Sequence, residues 1–306
     1  MREDRIGSTA TAVAAPADRG GETVAVVDAH QHFWDPQRVD YPWLAPYYPE
    51  LDRRFGFEDL VPHLAATGVD ATVLVQSADD VRDDDLMLEI AAAHPEIAGI
   101  VAWVPLDDPV RAGELLARFT TTGCVVGVRA LIHNQPDPDW VLKASVGESL
   151  ALLEQSALPF DLVAVLPRHL ELVPLLSDSH PGLRIVIDHL AKPPVGQSSL
   201  GPWAKLMASA ASSPNVYAKV SGLYPCAGDR EPWSVDDLRP AFDRALELFG
   251  PDRLMFGSDW PICEVAGGYS TVVGSLFRLI DELDSPARAA LLGGTAARVY
   301  ALDRVQ

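Results

Sequence analysis

The sequence is poor in cysteine and contains no long apolar run. Its three cysteines, Cys124, Cys226 and Cys263, are odd in number and widely spaced, which excludes a disulfide framework and a CxxC metal knuckle. Unpaired thiols suit a reducing compartment, so we expect a cytoplasmic location. No apolar stretch approaches the roughly 20 residues that cross a bilayer.

Basic residues are also scarce. The 306-residue chain has 24 Lys and Arg against 43 Asp and Glu, a formal charge of −19. A surface of that charge repels nucleic acid and anionic membranes, so we expect neither as a partner. A small-molecule substrate is expected instead. The oligomeric state stays open, with a homodimer as one option.

The N-terminal residues 1–23 differ in composition from the rest. They mix charged residues with Ala, Thr and Pro and lack a continuous apolar segment of signal-peptide length. We therefore predict a disordered leader over 1–23, followed by one domain over 24–306.

Short apolar runs alternate with helix-like segments along the whole domain. Most of the runs are continuous rather than alternating in polarity, as expected for parallel strands that are covered on both faces. Eight such β/α units without a break in composition predict a single (β/α)8 TIM barrel of the α/β class. The predicted strands are Val24–Asp28, Ala71–Gln76, Ile97–Val104, Val125–Leu131, Phe160–Leu166, Arg184–Asp188, Val216–Val220 and Arg253–Phe256.

Polar and aromatic residues follow the predicted strands, and in such barrels the carboxyl ends of the strands carry the active site. His30 and His32 follow the first strand, two residues apart, so that they share one face of an extended chain. Two imidazoles converging inside a barrel suit a divalent metal, or hydrogen bonds to a substrate carbonyl and a water. His189 and Asp259 follow strands six and eight. We predict that these four residues meet, with Asp259 as general base on a water.

Further residues at the strand ends are candidate substrate contacts. Arg129, in an apolar strand, needs an anionic or carbonyl partner, either a substrate group or a loop acid. Lys192 and the three tryptophans fit either a substrate-binding or a packing role. The candidate substrate-binding residues are Arg129, Trp34, Gln76, Trp103, Lys192, Tyr224 and Trp260. The aromatic-rich segment from Phe33 to Phe55 is long for such a loop, and long loops are often functional.

Several motifs together resemble one known family. "VDAHQHFWDP", "GVRALIHNQ", "DHLAKPPVG", "AKVSGLY" and "RLMFGSDWPI" occur in the order found in the amidohydrolase superfamily, from about Val26 to Tyr300. They are most similar to its lactonase branch, which includes the L-fuconolactonase, L-rhamnonolactonase and pyrone-dicarboxylate lactonase types. The resemblance implies a (β/α)8 barrel that hydrolyses a cyclic ester.

The resemblance also implies roles for individual residues. The first-strand HxH falls on His30 and His32, the sixth-strand histidine on His189, the eighth-strand aspartate on Asp259, and the substrate-contacting arginine on Arg129. Metal use varies in this branch, so one divalent ion, with Zn²⁺ as first choice, and metal-free catalysis both stay open. If an ion binds, its ligands would be His30, His32, His189 and Asp259. The bridging and fifth-strand ligands of binuclear members are missing, so a binuclear site is not expected.

Three functions remain to be compared. The first is hydrolysis of a sugar-acid lactone, with Asp259 activating water, the histidines polarising the carbonyl, and the segment from Trp34 to Tyr48 closing over the substrate. The second is a metal-dependent decarboxylase of the same superfamily. The third is a barrel that binds a sugar acid without catalysis, although such a protein has no need of a general base.

Overall fold

A computed structural model describes residues 25–197, 199–224 and 233–302. The predicted leader 1–23 lies outside these residues. Within them, eight parallel strands follow one another in the sheet in chain order, with helices between them. The eighth strand returns to the first through Gln31 and Trp260, which pair in parallel. The predicted TIM barrel is confirmed.

The strands are short and buried. Every residue of β1, β2, β5, β6 and β8 is buried. This explains why β2, β6 and β8 are largely apolar without alternation, while β1 and β5 also carry buried polar residues. The strands are β1 (Val27–Gln31), β2 (Ala71–Val75), β3 (Ile97–Ala102), β4 (Val125–Ala130), β5 (Phe160–Leu162), β6 (Ile185–Ile187), β7 (Val216–Val220) and β8 (Leu254–Phe256).

Helices cover the outside of the barrel and bury one apolar face each against it. They are α1 (Leu44–Tyr47), α2 (Phe57–Thr67), α3 (Val81–Ala93), α4 (Pro109–Thr122), α5 (Ala144–Gln155), α6 (Pro167–Ser179), α7 (Gly201–Ala211), α8 (Val235–Phe249), α9 (Tyr269–Asp281), α10 (Ser285–Ala289) and α11 (Thr295–Val299). A π-helical turn, Ala290–Gly294, joins the last two. No helix in the described ranges is long and apolar enough to cross a membrane.

The first strand was predicted too early in the chain. It runs to Gln31 rather than ending at Asp28, because pairing with β2 continues through Gln31 and Leu74. His30 therefore lies within the strand and not after it. Strand five was predicted too long, since it ends at Leu162, and the apolar residues that follow form the connection to α6.

The long segment between β1 and α2 is folded and packed. Trp34 and Phe55 pair across it as an antiparallel bridge, and α1 lies between them. Trp34 is fully buried and contacts Tyr41, Trp43 and Phe55 through its ring. The aromatic content of this segment therefore forms a small core at the mouth of the barrel.

Two acidic residues in the first turn of α3 are buried rather than solvated. Asp83 and Asp84 are fully buried. Asp83 accepts hydrogen bonds from the Tyr41 hydroxyl at 2.6 Å and the Ser77 amide at 2.7 Å. Asp84 accepts one from the Trp103 amide at 2.8 Å. These carboxylates tie the β2–α3 connection to the neighbouring loops.

Candidate active site

His30 and His32 extend from the end of β1 into the mouth of the barrel. Backbone pairing with the β8 connection holds this strand end in place: the His32 amide donates to the Trp260 carbonyl at 2.7 Å, and the Asp259 amide to the His30 carbonyl at 2.8 Å. Asp28 reinforces this link, because its Oδ1 accepts from the Ser258 amide at 2.8 Å. The first and last strands thus fix His30, His32 and Asp259 relative to one another.

His189 is presented by an unusual turn after β6. Four consecutive residues, 189–192, have φ between 48° and 55°, the left-handed conformation. Each such residue costs roughly 1–2 kcal/mol, so the turn stores strain. The Trp203 indole donates to the Leu190 carbonyl at 2.7 Å and holds the turn. Asp259 shares the left-handed conformation with a φ of 60°. Strain of this kind concentrates at functional sites.

The four predicted residues converge on one point. Asp259 Oδ1 lies 3.7 Å from His30 Nε2, 3.5 Å from His32 Nε2 and 3.8 Å from His189 Nε2. All four side chains are nearly inaccessible, with residue exposures of 5% or less. A carboxylate and three imidazoles this close form a centre that can bind a water or a cation and exchange a proton with it.

Burial sets the protonation of the centre. Burial lowers the pKa of His189 to about 3 and lowers the pKa of His32 below its usual value. Burial alone would raise the pKa of Asp259, but His189, His32 and Lys192 hold it well below its usual value. The centre at neutral pH therefore contains neutral imidazoles and an ionised carboxylate, which is the protonation state of a base.

Each imidazole has a partner on its far nitrogen. His32 Nδ1 donates to the Val75 carbonyl at 2.8 Å, and His189 Nδ1 lies 2.9 Å from the Ser221 hydroxyl. His30 Nδ1 lies 3.2 Å from Lys219 Nζ and 3.3 Å from Asp188 Oδ1. These partners fix the orientation of the three rings.

Beneath the centre lies a buried charged cluster that we call the charge layer: Arg129, Asp161, Asp188, Lys219 and Tyr300. Lys219 Nζ lies 2.5 Å from Asp161 Oδ2 and 3.2 Å from Asp188 Oδ1, and Arg129 lies 3.0 Å from Asp188 Oδ2. The Tyr300 hydroxyl donates to Asp161 at 2.8 Å. Two cations thus balance the two carboxylates of this layer.

Sequence reasoning missed Asp161, Asp188, Lys219 and Tyr300. The signal was available for Asp161 and Lys219, because each is a charged residue inside an apolar strand, and a buried charge requires a partner. No such signal marked Tyr300, the residue that follows α11, whose hydroxyl donates to Asp161.

Comparison with known proteins identifies the family of this chain. Residues 27–302 match the family model described as Amidohydrolase. The chain belongs to the amidohydrolase family. It is 34% identical over 282 residues to an L-fucono-1,5-lactonase of Burkholderia ambifaria, which covers 91% of this chain and 96% of that protein. A second L-fucono-1,5-lactonase, from Burkholderia multivorans, is 34% identical over 286 residues, covering 90% of this chain and 96% of that protein.

A solved structure extends the comparison to three dimensions. An amidohydrolase of Burkholderia multivorans, crystallised with bound zinc, superposes with a TM-score of 0.83 at 32% identity, covering 90% of this chain and 99% of the other.

The donors of this amidohydrolase fit a single divalent ion. Ligand atoms of His30, His189 and Asp259 all lie within 4.8 Å of one another, and all three residues are buried. His32, also predicted as a ligand, lies outside that set, although its Nε2 is 3.5 Å from Asp259 Oδ1. Asp188 Oδ1 is a buried oxygen with no hydrogen bond in the described part of the chain. Imidazole and carboxylate donors with such an acceptor behind them are typical of zinc sites.

The candidate substrate contacts of this amidohydrolase lie at different depths. The Tyr224 hydroxyl donates to Asp259 Oδ2 at 2.8 Å, so Tyr224 belongs to the centre. Arg129 is 4% exposed, and its guanidinium also donates to the backbone carbonyl of Gln76. The Gln76 side chain is fully buried and donates to the Arg129 carbonyl at 3.3 Å. Arg129 and Gln76 therefore brace strands β2 and β4, and their substrate contacts stay predictions.

The tryptophans and Lys192 complete the set. The Trp34 indole donates to the Leu51 carbonyl at 3.2 Å and the Arg53 carbonyl at 2.9 Å, inside the folded loop. Trp260 is 1% exposed, and among the described residues its indole N–H has no partner. Trp103 and Lys192 are half-buried. The positive charge of Lys192 contributes to lowering the pKa of both Asp259 and His189.

Proposed function

We propose that this amidohydrolase opens the ring of a sugar-acid lactone, with water as nucleophile, to give the hydroxy acid. The observation that carries the proposal is the position of Asp259 Oδ1, 3.5–3.8 Å from three imidazole nitrogens. The L-fucono-1,5-lactonase relatives, at 34% identity over most of the chain, supply the substrate class. A non-catalytic binder would have no use for a buried, ionised carboxylate at the mouth of the barrel.

In the proposed reaction, Asp259 takes a proton from a water that attacks the lactone carbonyl. Its pKa lies well below the usual value, so the carboxylate is ionised at neutral pH, as a base must be before it takes a proton. The Tyr224 hydroxyl donates to Oδ2, which leaves Oδ1 facing the three histidines, where the attacking water would bind. Held in this way, one oxygen of Asp259 acts as base while the other is fixed.

Negative charge develops on the carbonyl oxygen as water adds. Preorganised N–H donors in a buried site stabilise such an oxyanion, and losing one donor typically costs about 100-fold or more in rate. We assign that task to an imidazole N–H that faces the centre. His32 is not this donor, because its proton lies on Nδ1, which donates to the Val75 carbonyl. When the ring opens, the alkoxide that leaves must receive a proton, and the protonated Asp259 is positioned to return it.

The residues around the centre are assigned to binding. Lys192, half-buried on the strained turn, would attract the carboxylate that forms when the ring opens. Trp103, Trp260 and the folded segment from Trp34 to Tyr48 would form the walls that cover the sugar. A bound divalent ion, held by His30, His32, His189 and Asp259, would polarise the carbonyl and acidify the water.

A lactone panel tests this proposal. Purified protein, as isolated and after chelation, is given aldono-1,4- and 1,5-lactones, and acid release is followed by pH-stat, with hydroxybenzoates in parallel for carbon dioxide release. We expect acid release above the spontaneous rate from at least one aldonolactone. We expect no release of carbon dioxide from hydroxybenzoates. Release of carbon dioxide, or binding of a lactone that stays unhydrolysed, would contradict the proposal. A cytoplasmic role in carbohydrate metabolism is part of the same proposal.

A further inference from the structure

The two ring nitrogens of His30 face different surroundings. Nε2 points to the reaction centre and lies 3.1 Å from His32 Nε2. Nδ1 points down to the charge layer, where Lys219 Nζ is 3.2 Å away and Asp188 Oδ1 is 3.3 Å away. One of these neighbours donates a hydrogen bond and the other can only accept one, so the location of the single ring proton matters.

The hydrogen bonds determine that location. The Val75 carbonyl can only accept, so the neutral His32 must carry its proton on Nδ1, and its Nε2 is a lone pair. The 3.1 Å contact between the two Nε2 atoms is then a hydrogen bond only if His30 Nε2 carries the proton. The competing donor at this nitrogen, Arg129 Nη1, is farther away at 3.4 Å and already donates to Asp188 Oδ2 at 3.0 Å. His30 Nδ1 is left as a lone pair, and the Lys219 ammonium donates to it.

Other residues of the barrel interior hold Lys219 in position for this contact. Its side chain is fully buried on β7, and Asp161 on β5 holds the ammonium at 2.5 Å. Tyr300, from the C-terminal end of the described chain, in turn donates to both oxygens of Asp161, at 2.8 and 2.9 Å. Burying a lysine is costly unless it is paired, and a purely structural lysine has no need to end against an imidazole.

Asp188 offers the opposite arrangement. Its Oδ1 lies 3.2 Å from Lys219 Nζ, with which it forms an ion pair, and 3.3 Å from His30 Nδ1, and it accepts no well-aligned hydrogen bond among the described residues. If His30 carried its proton on Nδ1, that oxygen would accept it. Nε2 would then present a lone pair to the centre, as a metal ligand must.

We propose that Lys219 is a positioning residue that keeps His30 as an Nε2–H donor toward the reaction centre, and that Asp188 is the acceptor for the other tautomer, in which Nε2 is free to bind a divalent ion. The role of Lys219 rests on the proposed lactone hydrolysis, because the His30 Nε2–H would donate to the oxyanion of that reaction. The structure thereby gives one histidine two working states, and Lys219 favours the metal-free one.

A charge-balanced pair of substitutions tests this assignment. Lys219→Met combined with Asp161→Asn removes one cation and one anion, so the net charge of the layer is unchanged. Without the lysine donor, His30 is free to turn its proton to Asp188. We expect the lactone kcat of the chelated enzyme to fall roughly 100-fold, as when a catalytic histidine is held in the wrong tautomer. Zinc affinity, measured by calorimetry, should rise about 10-fold.

A fall in activity together with a rise in zinc affinity distinguishes a positioning role of Lys219 from loss of the folded site. A misfolded site would lose both activity and zinc affinity. Lys205→Met combined with Asp178→Asn makes the same exchange at two exposed helix residues and should change neither. A folded Lys219/Asp161 variant whose zinc affinity is unchanged or weaker would overturn the proposal.

Nitrogen-15 NMR of the metal-free wild-type protein, with labelled histidine, keeps the proposal testable if that variant fails to fold. His30, assigned with a His30→Gln sample, should show a protonated Nε2 and an unprotonated Nδ1. The reverse pattern would overturn the proposal. Zinc affinity and tautomer are both read without substrate, so they remain decisive even if no lactone is hydrolysed.

Discussion

Gly222 is the residue at which the packing of the centre can be perturbed with least chemical change. It has a φ of +55°, and a Cβ built there would lie 2.7 Å from His189 Nδ1 and 2.8 Å from Asp259 Oδ2. Ordinary contact begins at 3.4 Å, so in Gly222→Ala the imidazole must retreat by about 0.7 Å. A misplacement near 1 Å costs on the order of 100-fold in rate, or about 2.7 kcal/mol.

The left-handed backbone at Gly222 adds a cost of its own, roughly 1–2 kcal/mol of folding stability. Gly123→Ala measures that cost alone, because Gly123 has a φ of +67° and no atom lies within 4 Å of the position that a Cβ would take. We expect Gly222→Ala to lose at least as much stability as Gly123→Ala in urea unfolding, and only Gly222→Ala to lose lactone kcat/KM. If Gly222→Ala keeps activity within threefold of Gly123→Ala, the close packing of His189 and Asp259 does not matter to the reaction.

Two further predictions concern the strained turn and a buried acid. Trp203→Phe removes the 2.7 Å bond to the Leu190 carbonyl, so we expect the turn to relax and kcat/KM to fall about 10-fold with about 1 kcal/mol lost in stability; equal activity would show that the turn holds itself. Burial raises the pKa of Asp83 from 3.8 to about 6, so the folded protein keeps a proton there that the unfolded chain loses. The unfolding free energy of wild type relative to Asp83→Asn should therefore fall by up to about 3 kcal/mol between pH 4 and 7, measured by urea titration; a rise would refute the assignment.

The barrel was predictable because its strands are covered on both faces. Continuous apolar runs such as Ile185–Ile187 stand out between helical segments, and eight repeats leave few other architectures. The boundaries were less predictable. Polar residues at the end of β1, His30 among them, looked like a loop, although strand pairing and the β8 connection bury them.

The four central residues were predictable because polar residues at strand ends must meet in a barrel. The charge layer was not, because it depends on which charged residues of different strands fit together: Lys219 meets Asp161 and Asp188 across the barrel interior. The left-handed turn at 189–192 was equally hidden, since Leu, Ala and Lys rarely adopt that conformation. Tertiary hydrogen bonds, and not local propensity, select it.

Lactone turnover by Asp259→Asn is the measurement that tests the central claim most directly. Asparagine keeps the shape and can still bind Tyr224, but it cannot accept a proton from water. With its thermal midpoint close to wild type, the variant should lose at least about 100-fold in kcat, because a positioned general base contributes that much. An Asp259→Asn enzyme that hydrolyses the lactone at a near-normal rate would show that the base lies elsewhere and that the convergence of His30, His32, His189 and Asp259 is not the reaction centre.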